Sequence, residues 1–286
     1  MPITRRTFLK TGAAAGLAAA LPAFGQETPQ AAGLFPPKPN FHTTSGVSVM
    51  LSGGSITRNE LFLPEVAAVQ RRHFAGRKRI LLILHASLPD DRDRMEQRLQ
   101  GMFAADGFEA YSLHHLSENG ARRRIQSAEA IFIGGGETFL LLRTLLETRQ
   151  FRLLRDAILS GVPMHGTSAG ANIAGPHIGC TNDFPVVDVP SRAALGVFPA
   201  VINPHHPRSD EPDYAGRVHK LRTYLRANPG ETVLGLGNGA VVRLQGGRVD
   251  LNVQSGFIYQ GSSHRELAAG EVTELSALVR RRAASR

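Results

Sequence analysis

The chain has 286 residues, 42% of them hydrophobic, a formal net charge of +9 and one cysteine. That excludes global disorder, an intramolecular disulfide framework and a cysteine-cluster metal site, and it suits one α/β domain with an extension. The short arginine clusters Arg122–Arg124 and Arg280–Arg282 have no interleaved aromatics and there is no Trp, so no nucleic-acid partner is expected.

Residues 1–25 read as an address. Arg5-Arg6-Thr7-Phe8-Leu9-Lys10 is a twin-arginine pattern, an Ala/Gly/Leu-rich run follows, and Ala23-Phe24-Gly25 offers small residues for cleavage. The expected location is periplasmic or otherwise exported. The apolar run is too short for a convincing span, so no stable membrane insertion is expected after cleavage. Residues 26–45 are polar and Pro-rich, a linker, and 46–286 are expected to form a single α/β domain.

The body alternates strand and helix. Strands are predicted over 46–51, 79–86, 109–113, 130–134 and 162–166, and helices over 63–75, 90–105, 120–127 and 139–159. The run Arg79-Ile-Leu-Leu-Ile-Leu-His-Ala86 is continuously apolar, as a strand covered on both faces must be. This rhythm predicts a mostly parallel central sheet with helices on both faces, and ligands beyond the carboxyl ends of its strands. Further on, strands are expected at 197–203 and 232–236, a helix at 214–228, and β hairpins across 240–259.

Two glycine-rich turns sit at predicted strand ends. Gly166-Thr167-Ser168-Ala169-Gly170 is a Gly-x-Ser-x-Gly between an apolar strand and a helix-capable run, the context a nucleophile turn requires. Gly134-Gly135-Gly136-Glu137-Thr138 lets backbone approach a substrate closely, and it lacks the spacing of a phosphate cradle. A serine nucleophile needs a base. Among eleven histidines, His205 and His206 stand out, held between Pro204 and Pro207 after an apolar strand. No third ligand accompanies this pair at helical or hairpin spacing, so no metal and no cofactor are expected.

With these residues, the chain resembles the peptidase E (aspartyl dipeptidase) family and its cyanophycinase-like relatives. Five blocks match in order between about Val47 and Tyr259: Gly134–Phe139, Gly166–Asn172, Thr181-Asn182-Asp183-Phe184-Pro185, Phe198–His205 and Val233–Gly239. The resemblance implies a class I glutamine amidotransferase-like fold, a flavodoxin-like three-layer sandwich. It implies Ser168 as nucleophile, His205 as base, and oxyanion N–H groups from Gly136 and Ala169. It also implies small acidic peptides as substrates, with N-terminal aspartate held by Arg217 and with Glu137 and Thr167 at the substrate. Position 167 is Thr where the dipeptidases carry Trp, which is similar to the cyanophycinase turn, and position 137 is Glu where Asn is usual. The Glu expected as third triad member aligns with Asn238, and Asp183 is the alternative acid. A cyanophycinase-like hydrolase and a catalytically weakened peptide-binding protein are the competing readings. The oligomeric state is not legible in the sequence.

Overall fold

The computed structural model describes residues 46–274. The expected signal (1–25) and linker (26–45) lie outside the described residues.

The first half is a strand–helix alternation. β1 (Ser48–Ser52) leads into a small hairpin of β2 (Thr57–Arg58) and β3 (Leu61–Phe62), then α1 (Pro64–His73). Pro64 opens α1 at a position where a missing N–H costs nothing. β4 (Arg79–Ile83) is followed by a single 3-10 turn and α2 (Arg92–Ala105). Next come β5 (Glu109–Ser112) and α3 (Glu118–Gln126), where the Ser117 side chain accepts from the Gly120 N–H and caps the helix. β6 (Ala130–Ile133) precedes α4 (Thr138–Glu147) and α5 (Gln150–Leu159). These two helices fill the helical run read over 139–159, whose reading allowed two pieces, and the break falls where Arg149 adopts a left-handed conformation with φ 56°. β7 (Met164–Thr167) runs directly into the short α6 (Ala169–Asn172).

The second half is more mixed: β8 (Val201–Pro204), α7 (Tyr214–Ala227), β9 (Thr232–Leu236), β10 (Val241–Gln245), β11 (Arg248–Val253), β12 (Gly256–Gln260), β13 (Ser263–Leu267) and β14 (Val272–Glu274). Gly246 and Gly247, at φ 59° and 78°, form the tight turn between β10 and β11.

Eight strands make the main sheet, in the order β14-β11-β10-β1-β7-β6-β4-β5. The five from β1 to β5 are mutually parallel and the other three antiparallel. Alternation along β4 shows why both faces are covered. Ile80 and Leu82 pack with Val66 of α1 and Leu99 of α2, while Leu81 and Ile83 pack with Leu142 of α4 and Leu154 of α5. Each of these side chains is removed from water, worth roughly 1.5–3 kcal/mol apiece. The three-layer α/β sandwich predicted from the apolar runs is thus present. A second sheet was not separated in the sequence: β13-β12-β9-β8, with only β8 and β9 parallel, and α7 packed on it through Val218, Leu221 and Leu225.

The layout brings five strand ends together. The carboxyl ends of β1, β6, β7, β8 and β9 carry Gly53-Gly54, Gly134–Gly136, Ser168, His205 and Asn238.

Candidate functional site

Ser168 is placed by a sharp turn at the end of β7. Its backbone lies at φ 52° and ψ −113°, outside the regions favoured by a residue with a side chain. Such strain costs on the order of 1–3 kcal/mol and persists only where the surroundings impose it. Here the Ser168 N–H donates to Ser52 O at 3.0 Å, and the Ser168 carbonyl accepts from Ala171 N and Asn172 N, both at 2.9 Å. Gly170 has to lack a side chain, because a Cβ there would sit 2.1 Å from Ile133 O.

His205 comes from a different sheet. It too has a positive φ, 51°, and its N–H donates to Gly53 O at 2.9 Å. The ring bridges two partners: Nε2 lies 2.8 Å from Ser168 Oγ, and Nδ1 lies 2.6 Å from Asn238 Oδ1. An amide oxygen can only accept, so Nδ1 carries the proton and donates it. Nε2 is left as a lone pair facing the Ser168 hydroxyl, the tautomer a general base needs.

The neighbouring His206 is separate from this chain. It is buried, its Nδ1–H donates to Pro207 O at 2.7 Å, and Nε2 accepts from the Tyr259 hydroxyl at 2.7 Å. Burial pushes its pKa down to about 4, so it stays neutral. A second Ser–His contact, Ser52 Oγ to His165 Nε2 at 2.5 Å, lies wholly inside the core, with both residues at 0% exposure. No substrate can reach it.

Asp183, the alternative acid in the sequence, makes no hydrogen bond to His205. Its Oδ2 accepts from the Thr138 N–H at 2.9 Å and from the Thr138 hydroxyl, at the N-terminus of α4. A carboxylate is favoured there because the first N–H groups of a helix lack intrahelical acceptors. The block containing Asp183 is a brace for the histidine loop. Asn182 Nδ2 donates to Pro204 O at 2.6 Å, and Asn203 Nδ2 donates to Cys180 O at 2.7 Å. Cys180 itself is buried, with burial pushing its thiol up to about 12.

The other residues named from the sequence surround this centre. No described backbone acceptor in the loops takes the N–H of Gly135 or Gly136, and Ala169 N–H is the first of its helix and has no intrahelical acceptor. Gly135 approaches Ser168 so closely that a Cβ would lie 3.0 Å from the Ser168 Cβ. Glu137 stands at the N-terminus of α4, its carboxyl raised by burial and then by the charge of Asp183. Thr167 is buried beneath the turn.

Two cavities meet at His205. One, of about 240 Å³, lies on the Ser168 side and is lined by Ile56, Phe62, Met95, Leu99, Met102 and Phe132, with Arg98 and Thr167 among its polar residues. The other, of about 250 Å³, is polar and includes Arg217, Asn238, Glu211 and Gln254. The Arg217 guanidinium is half-buried, and this burial lowers its pKa from the ordinary value. Nη1 donates to Asn203 Oδ1 at 2.8 Å, and Nη2 and Nε have no partner among the described residues. The fork therefore presents free donors to a carboxylate.

Sequence reasoning missed Gly53 and Gly54. They follow an apolar strand, the same signal that marked the other two turns. Gly54 has φ 121° and lies under the imidazole: a Cβ there would be 2.1 Å from His205 Cε1. Gly54→Ala should therefore push His205 off Ser168 and lower kcat by about ten- to a hundredfold. Steady-state kinetics on a variant with wild-type circular dichroism checks this; an unchanged kcat would show that the ring does not act from its observed position.

The comparisons agree with the architecture. The model for "Peptidase family S51" matches residues 49–252, and that for the twin-arginine translocation pathway signal sequence matches residues 2–22. Peptidase E of Streptomyces coelicolor is 36% identical over 195 residues, 65% of this chain and 77% of the relative. Peptidase E of Haemophilus influenzae is 35% identical over 172 residues, 59% of this chain and 78% of the relative. A solved peptidase from an acI-B1 Actinobacterium superposes with a TM-score of 0.60 at 18% identity, covering 82% of this chain and 99% of that one, a likeness of fold. Among the described residues, no helix is long and apolar enough to cross a membrane. The chain belongs to peptidase family S51, a peptidase E-like hydrolase with a class I glutamine amidotransferase-like fold and a signal for twin-arginine export.

Proposed function

We propose that the protein is an exported serine peptidase that hydrolyses small peptides with N-terminal aspartate. The observation that carries the reading is the hydrogen-bonded chain Ser168–His205–Asn238, at 2.8 and 2.6 Å, between an apolar and a polar cavity.

In this reading Ser168 Oγ attacks the scissile carbonyl and passes its proton to His205 Nε2. The N–H groups of Ala169 and Gly136 receive the oxyanion. The imidazolium then protonates the leaving amine, and water repeats the sequence to release the acyl group. The free donors of Arg217 take the aspartate carboxylate, and the apolar cavity takes an uncharged neighbour. Each cavity has room for a side chain and not for a folded polypeptide, which fits short substrates.

Asn238 supports a second reading, a peptide-binding protein with weakened turnover, because an amide orients the imidazole without offering a charge to the imidazolium. Thr167 points toward aspartyl–arginine material as the alternative substrate. One panel separates these readings: Asp-X dipeptides, aspartyl–arginine peptides and neutral dipeptides, with Ser168→Ala as control. Ser168-dependent release of Asp is expected, and Arg217→Gln should lower kcat/KM for Asp-X by roughly tenfold or more while sparing neutral substrates. Acidic peptides that bind without turnover, equally well to Ser168→Ala, would support the binding-protein reading instead.

A further inference from the structure

A second cluster of chemistry lies on the far side of α2, away from Ser168. Asp93 and Glu96 occupy its first turns, and His114 and His115 follow the end of β5. Three donor atoms, one each from Asp93, His114 and His115, lie within 4.8 Å of one another, and Glu96 adjoins the two histidines. His114 Nε2 lies 2.7 Å from Asp93 Oδ1 and 3.9 Å from Glu96 Oε2; His115 Nε2 lies 3.6 Å from Asp93 Oδ1 and 2.8 Å from Glu96 Oε2. A zinc tetrahedron with bonds of about 2.0–2.1 Å has donor–donor edges of about 3.3–3.4 Å. The edges from Asp93 Oδ1 to the two histidines, 2.7 and 3.6 Å, straddle that value, so small side-chain rotations would admit an ion between these three residues.

The remaining atoms of the buried pair are already held. His114 Nδ1 is 2.7 Å from Ser112 Oγ, which leaves Nε2 turned inward. Glu96 Oε1 accepts from the Ser112 N–H at 2.7 Å and from Gln100 Nε2 at 3.4 Å, which leaves Oε2 turned inward. The side chains of His114 and Glu96 are only 8% and 11% exposed. Outer partners of this kind fix the tautomer and orientation of metal ligands. Among the described residues, the ion pairs of both carboxylates are to these histidines and none is to Lys or Arg.

We propose that Asp93, His114 and His115 form a binding site for one divalent transition-metal ion, with Glu96 beside the histidines and Zn²⁺, completed by a water, the best fit to this nitrogen and oxygen set. The sequence hid it because Asp93 lies more than twenty residues before the histidine pair in the chain, joined to it only by the packing of α2 against β5. The ion is structural. It ties the start of α2 to the end of β5, and α2 also presents Met95, Leu99 and Met102 to the apolar cavity beside Ser168.

The test is titration of the untagged, chelator-treated full chain with Zn²⁺ alone, followed by calorimetry and by thermal unfolding. Expected are one equivalent bound with micromolar or tighter affinity and a rise in Tm with Zn²⁺. Co²⁺ in place of Zn²⁺ should give the strong visible absorption of a tetrahedral site. His115→Ala combined with Asp93→Asn removes two exposed ligands without touching the core, and should weaken binding by at least about tenfold and abolish the Tm shift. Absence of saturable binding would overturn the proposal, and so would one-equivalent binding that survives in the double variant.

Discussion

Asn238→Asp is expected to raise kcat on the wild-type protein's best Asp-X substrate by about two to three orders of magnitude. The exchange is isosteric, so the 2.6 Å contact with His205 Nδ1 and the tautomer it selects are kept. What changes is the transition state. In the proposed mechanism His205 becomes a cation as Ser168 attacks, and among the described residues no carboxylate is hydrogen-bonded to it. Arg217, whose Nη1 lies 3.5 Å from the His205 carbonyl, adds positive charge nearby. An aspartate at 238 would stabilise the imidazolium directly. In a buried serine triad, the reverse change costs about four orders of magnitude; His205 and Asn238 are exposed, and water screening reduces the gain. Turnover of wild type and variant on one substrate, with Ser168→Ala in both backgrounds, decides the matter. A folded variant with unchanged kcat would mean that protonation of His205 does not limit the reaction.

Acid should unfold the protein in a window set by four buried histidines. Burial, the largest cause in each case, pushes His73, His85 and His206 down to about 4 and His165 to about 3. Their bonding explains why a second proton is unwelcome. His165 Nδ1–H donates to Gln70 Oε1 at 2.7 Å while Nε2 accepts from Ser52, and Nδ1 of both His73 and His85 has no acceptor at all. Their folded pKa values lie below the unfolded value of about 6.5, so the unfolded chain binds more protons in between. The histidines therefore impose no penalty above about pH 6.5. The penalty grows as pH falls toward 4, by up to ~1.4 kcal/mol per histidine per pH unit. Four together remove up to ~5 kcal/mol per unit, against a total stability of about 5–15 kcal/mol. Glu129, held down to about 2 first by the Lys78 N–H and then by Arg79, loses its contribution in a lower window. Urea unfolding from pH 7 to 4 should show midpoints dropping steeply below 6.5, and His165→Asn should flatten the slope by about one proton. A stability that is flat between pH 7 and 5 would contradict the buried neutral state.

Much of the architecture is legible because its signals are local. A strand covered on both faces must be apolar at every position, and Arg79–Ile83 and Ala130–Ile133 are so nearly apolar that no other element suits them. The turn at Ser168 is equally local: glycines at 166 and 170 are required by contacts within a few residues or with the adjacent strand. The twin-arginine run is a linear address and needs no fold to be recognised. Boundaries moved by a few residues, as at Val201–Pro204, where the expected strand began at 197. The short strand β13 (Ser263–Leu267) was missed because exposed and polar positions dominate it.

What the tertiary structure alone decided is which distant residues meet. Turn chemistry alone leaves His205 and His206 equivalent, with only the resemblance picking His205; the parallel pairing of β8 with β9 turns that one toward Ser168 and the other toward Tyr259. Asp183 and Asn238 were both open as the third member; the former is held by Thr138 and the latter lies against His205. Gly54 matters only because β1 ends beneath the imidazole, and Glu96 meets His115 only because α2 packs on β5. Periodicity and turn chemistry are properties of a few consecutive residues, so the chain states them outright. Strand order and register follow from the packing of the whole core, and each site pairing depends on them.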